Sequence, residues 1–120
     1  MRIESFHHVQ LAMPAGGEER ARAFYAGVLG IPETPKPDVL ARRGGAWFER
    51  DGLRIHLGVE EPFRPARKAH PALLVDGLDE LIARLHAAGA VLRAAEELDG
   101  FDRVYAEDPF GNRLEFIQRR

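Results

Sequence analysis

From Phe6 to Met13 the chain alternates, with apolar Val9, Leu11 and Met13 on one face of an extended segment and His8, Gln10 and Ala12 on the other. Pro14-Ala15-Gly16-Gly17 stops that pattern. From Glu18 to Leu29, Ala21, Phe24, Tyr25 and Val28 recur at helical spacing, acidic residues fill the first turn, and Gly30 and Pro32 supply the exit. Three short strands are predicted next: Val39-Leu40-Ala41-Arg42, Ala46-Trp47-Phe48-Glu49 after Gly44-Gly45, and Leu53 to Val59 around the Asp51-Gly52 turn.

Residues 60–69 hold two prolines and a run of charges without periodicity, and read as a linker. The same grammar then begins again. His70 to Val75 predicts a strand, Leu78 to Ala88 an amphipathic helix with Leu78, Leu81, Ile82 and Leu85 inward, and Gly89 its C-terminal stop. Val91 to Ala94, Arg103 to Glu107 and Arg113 to Gln118 predict three more strands, the last two joined by Asp108-Pro109-Phe110-Gly111-Asn112. The prediction is therefore one α+β domain over 1–120 made of two βαβββ modules, 1–59 and 70–120. Landmarks repeat with it: His8 returns as His70, 62 residues on, and Arg54-Ile55-His56-Leu57 returns as Arg113-Leu114-Glu115-Phe116, 59 residues on.

The repeat puts one polar group out of phase with the apolar face in each of four strands: His8, His56, His70 and Glu115. A glutamate between Leu114 and Phe116 is costly to bury without a cation beside it. Imidazoles with one carboxylate, and positions left for water or substrate, suit Fe(II), Mn(II), Zn(II), Ni(II) or Co(II). His7 is expected on the opposite face from His8, and His86 as a solvated helix residue. Trp47, Phe48, Tyr105 and Phe110 are aromatic candidates for a pocket wall, and Arg64, Arg67 and Lys68 form a basic stretch before His70.

Composition narrows the chemistry. Cysteine is absent, which removes disulfides, thiolate metal sites and cysteine nucleophiles, so any metal must take nitrogen and oxygen ligands. With 17 basic and 19 acidic residues the formal charge is −2, which favours neither nucleic acid nor an anionic membrane as partner. No apolar run of signal-peptide or membrane-span length is present, and a soluble cytoplasmic protein is expected.

His8-Val9-Gln10-Leu11, Ala23 to Gly30, His70-Pro71-Ala72-Leu73-Leu74-Val75 and, most specifically, Glu107-Asp108-Pro109-Phe110-Gly111-Asn112-Arg113-Leu114-Glu115 resemble the vicinal-oxygen-chelate superfamily. That group includes glyoxalase I, fosfomycin-inactivating thiol transferases, bleomycin-resistance proteins and extradiol dioxygenases. The resemblance implies curved mixed sheets around a cavity, with His8, His70 and Glu115 as divalent-metal ligands and His56 where glyoxalase I carries a fourth ligand, usually Glu. It also implies a homodimer whose sites combine residues of both subunits, and a substrate that chelates the metal through vicinal oxygens, in a lyase, isomerase or oxygenase reaction in which Glu115 tunes the cation. The alternative within the resemblance is a metal-free binding protein of the bleomycin-resistance type.

Overall fold

Both halves of the chain use the same order of strands. The computed structural model describes residues Met1–Arg120 and divides into two units, Met1–Arg64 and Pro65–Arg120. In the first, β1 (Val9–Met13) is followed by α1 (Glu18–Ala21), which runs straight into a π-helical turn over Arg22–Val28, then β2 (Glu33–Thr34), the helical turn α2 (Asp38–Ala41), β3 (Ala46–Arg50) and β4 (Leu53–Val59). The sheet order is β1-β4-β3-β2, with β1 and β4 parallel and the other neighbours antiparallel.

The second unit contains β5 (Ala72–Leu74), α3 (Leu78–Ala87), β6 (Leu92–Ala94), β7 (Phe101–Glu107) and β8 (Arg113–Arg119). Its order is β5-β8-β7-β6, again with one parallel and two antiparallel neighbours. Each unit is a βαβββ module, and the fold is α+β with two mixed four-stranded sheets.

One face of each sheet is apolar because it packs under the helix of its own unit. In the first, Leu11, Met13, Ala46, Phe48, Ile55 and Leu57 are buried together with Ala21, Phe24 and Tyr25 from the helical segment. In the second, Val104, Ala106, Leu114 and Phe116 are buried with Leu78 and Leu85 of α3. At about 1.5–3 kcal/mol for each large apolar side chain removed from water, these faces are what hold the helices down.

Two turns set the registers that matter for chemistry. Asp51 and Gly52 both take positive φ (49° and 86°), the conformation a two-residue hairpin needs, so β3 and β4 pair with Trp47 opposite His56. Between β7 and β8, the buried Asp108 accepts hydrogen bonds on Oδ1 from the amides of Phe110 and Asn112 (2.9 Å each) and on Oδ2 from Asn112 Nδ2 (2.9 Å). This turn fixes Tyr105 opposite Glu115. Gly45, at φ 84°, is required where β3 begins, since a Cβ there would stand 2.1 Å from the Leu57 carbonyl oxygen.

Three expectations are corrected. Val39-Leu40-Ala41-Arg42 is not a strand: Pro37 and Asp38 start a helical turn over Asp38–Ala41, and Val39 is exposed. The second strand of the first module is instead Glu33–Thr34, confined to a sheet edge between Pro32 and Pro35, neither of which can donate to a ladder. The first strand begins at Val9 and the fifth at Ala72, so His8 and His70 lie just outside the ladders. Phe48 and Phe110, two of the four aromatic candidates, are buried in the core. No helix is long and apolar enough to cross a membrane.

Candidate metal centre

On the face of the first sheet away from its helix, one cross-strand row runs Gln10, His56, Trp47, Thr34. The His56 ring is stacked on Trp47 (centroids 4.2 Å, 8° between planes) and on its other side by His8 (4.3 Å, 17°). His56 is buried, and its Nε2 lies 2.6 Å from Glu49 Oε2, two residues along β3 from Trp47. Burial lowers the His56 pKa below the ordinary histidine value; the bond to Glu49 opposes that shift and the neighbouring His8 adds to it. In the neutral ring Nε2–H donates to Glu49 and Nδ1 is the only nitrogen with which His56 can bind a metal. His7 does not turn away from His8 as strand alternation predicts: both are exposed, and their Nδ1 atoms are 3.0 Å apart. The alternation fails because neither residue is in the strand.

The second sheet repeats the row as Ala72, Glu115, Tyr105, Arg93. Glu115 stands where His56 stands in the first module, Tyr105 where Trp47 stands, and His70 two residues before Ala72, as His8 is two before Gln10. Glu115 is buried, at 7% exposure, and its Oε1 lies 3.1 Å from His70 Nε2 and 3.5 Å from Arg103 Nη1. His70 Nδ1 is 2.8 Å from the Lys68 carbonyl oxygen, and the ring packs edge-on against Tyr105.

The His70–Glu115 contact has a chemical consequence. A carbonyl oxygen only accepts, so Nδ1 of His70 carries a hydrogen, and a neutral ring then turns the lone pair of Nε2 toward a carboxylate oxygen. Two acceptors at 3.1 Å need a bridge between them, either a proton or a metal ion. Ligands each about 2.1 Å from one ion stand roughly 3.0–3.4 Å apart, so this donor pair fits a first-row divalent metal. Tying the far nitrogen of a ligating histidine to a carbonyl or carboxylate is also how metal sites orient the ring, and both His70 and His56 are tied that way.

The first module fits less completely. A metal lies near the plane of each imidazole that binds it, and two rings stacked 17° from parallel cannot both aim a nitrogen at one ion. His8, the exposed member, has to leave the stack for it and His56 to share one. No group of three or more His, Asp and Glu side chains is gathered to hold an ion; the four candidates stand as two pairs, one in each unit. Glu49 and Arg103 carry no signal in the sequence, which offers Trp47 and Tyr105 only as candidate pocket walls and not as the partners of His56 and Glu115. The hairpin around Asp51-Gly52 carried the signal for Trp47, since a two-residue turn fixes which residues face each other. His86 is exposed on α3 and takes no part.

Residues 10–117 match a family model described as glyoxalase-like domain. The chain belongs to the glyoxalase-like domain family. A Bacillus anthracis protein whose crystal structure is ascribed to the glyoxalase family is 43% identical, with 100% of this chain and 98% of that one aligned and a TM-score of 0.94. More distant members of the fold include a glyoxalase/dioxygenase from Nostoc punctiforme (22% identity, 95% and 90% coverage, TM-score 0.77) and the fosfomycin resistance protein FosX from Listeria monocytogenes (17% identity, 99% and 96% coverage, TM-score 0.79). At those identities the likeness of these glyoxalase-fold proteins is one of fold. No curated protein matches the sequence.

Proposed function

We propose that this glyoxalase-like protein is a divalent-metal-dependent enzyme acting on a small molecule that presents two neighbouring oxygens. The observation that carries the proposal is the buried Glu115 carboxylate facing Nε2 of His70 at 3.1 Å. His70 Nε2, Glu115 and His8 would hold the ion, with Nδ1 of His56 as the fourth donor. A bound divalent ion supplies Lewis-acid stabilisation of an oxyanion or enolate developing on the substrate. The protein's own groups do the rest. Lys68 and Glu49 fix the two imidazole orientations, Arg103 offsets the charge of Glu115, and Trp47 and Tyr105 offer flat walls on the two rows. This ligand set suits a lyase, an isomerase or an oxygenase. Neighbours of the fold described as a glyoxalase/dioxygenase, a fosfomycin resistance protein and an oxidase support that range.

We further propose a homodimer in which His8 and His56 of one subunit complete the pair His70 and Glu115 of the other. Mixing variants tests both parts. His8→Ala and Glu115→Ala homodimers should each fail to bind Zn(II) tightly, whereas a refolded one-to-one mixture should recover binding, because half the sites in a mixed dimer contain no substitution. Failure of the mixed dimer to recover, although it forms, would overturn the shared site.

The second reading is a metal-free binding protein. It is favoured by one contact, Arg103 Nη1 at 3.5 Å from Glu115 Oε1, which can balance the buried carboxylate without a metal. Metal-free protein that binds flat ligands as tightly as metal-loaded protein would select it.

A further inference from the structure

Beside the candidate metal ligands, the second module carries a cleft of about 170 Å³ whose walls include Arg67, Arg93, Tyr105, Glu107 and Arg113. Three guanidinium groups meet there with one carboxylate. Glu107 reaches Arg67 only at 3.6 Å and Arg93 only at 3.9 Å, both longer than a charge-assisted hydrogen bond. Arg113 makes no ion pair; its guanidinium lies over the Tyr105 ring, 5.0 Å from the centroid. The cleft therefore holds an excess of planar, forked donors whose hydrogens are largely unspent, which is the arrangement that recognises an oxyanion.

The placement relative to Glu115 is set by the sheet. Arg93, Tyr105 and Glu115 form one cross-strand row, and Glu107 and Arg113 are opposed in the next row along. Arg113 and Glu115 are alternate residues of β8 and so project from the same face, about 7 Å apart along the strand.

We infer that Arg93 and Arg113 form a subsite for an oxyanion, a phosphoryl or carboxylate group, on the substrate of the site at Glu115. This rests on the functional reading above and narrows it: the substrate of the site at Glu115 carries an anionic group, met by Arg113 two residues along β8 from Glu115 and by Arg93 at the far end of the Glu115 row. Arg67, on the loop before His70, closes the third side of the cleft. Tyr105 holds Arg113 in place through its ring face and acts as a positioning residue.

The test uses the full chain and simple probes. Inorganic phosphate, methylphosphonate and acetate are titrated while the arginine Nε–H signals are followed by NMR, and the metal content of every sample is measured. At least one probe should produce saturable shifts of Arg93 and Arg113. Arg113→Met and Arg93→Met, which keep the aliphatic stems, should each weaken it about tenfold, with metal content unchanged. Arg42→Met, in the first module, should not change the affinity. A preference for phosphate and methylphosphonate over acetate would assign a phosphoryl group, and the reverse a carboxylate. Absence of any saturable shift, or an affinity that survives both Arg93→Met and Arg113→Met, would overturn the subsite. Anion binding that persists in a protein unable to take up metal would remove the metalloenzyme reading and leave the subsite standing.

Discussion

His56 Nε2 lies 2.6 Å from Glu49 Oε2 inside a stack in which Trp47 and His8 cover the two faces of the imidazole. The protein has one tryptophan, so this stack has its own optical reporter. If His8 turns out of the stack to bind metal, the indole loses part of the surroundings that the stack gives it. A Zn(II) titration should therefore change Trp47 emission saturably in the native protein and not in His8→Ala. An equal change in both would show that His8 does not move to the ion.

The same burial makes His56 a source of pH-dependent stability. Its folded pKa is lowered, so the unfolded chain binds a proton on this residue at pH values where the folded chain does not. The stabilising contribution is complete above the unfolded value of about 6.5 and is lost as pH falls toward the lower folded value. Urea midpoints of metal-free protein should drop between pH 7.5 and 5.5, and the drop should be smaller in His56→Gln. An identical pH slope in the variant would assign the effect to other groups.

Asn112 is fully buried and serves two partners: its Nδ2 donates to Asp108 Oδ2 at 2.9 Å, and its Oδ1 accepts the Ala66 amide at 3.0 Å. Asn112→Ala leaves a buried carboxylate short of a donor and a backbone N–H short of an acceptor, which should cost about 2–4 kcal/mol in chemical denaturation. Because this turn sets the register of Tyr105 against Glu115, the folded fraction should also bind metal more weakly. A variant as stable as the native protein would mean that the turn does not govern the register of β8.

Much of this arrangement was legible in the sequence because alternation and helical spacing are local signals. The period of Leu78, Leu81, Ile82 and Leu85 marked α3, and the matched recurrence of His8 with His70 and of His56 with Glu115 marked the internal repeat that the two sheets share. What escaped depends on tertiary structure. Val39 and Leu40 have strand-forming side chains, yet Pro37 and Asp38 begin a helical turn there and no neighbouring strand pairs with it. Glu33–Thr34 is a strand only because β3 lies beside it. Glu49 and Arg103 look like ordinary exposed charges along their strands; only the packing of β3 on β4 and of β7 on β8 brings them against His56 and Glu115.

In the proposed site Glu115 and His70 hold a divalent metal rather than a proton. Protein purified without a histidine tag or chelators, and examined by plasma mass spectrometry beside Glu115→Ala and His70→Ala, addresses it directly. The native protein should hold a stoichiometric divalent metal, and both variants should lose it while their circular dichroism stays native. A native protein that remains metal-free after reconstitution with Fe(II), Mn(II), Co(II), Ni(II) and Zn(II), or variants that keep their metal, would contradict it.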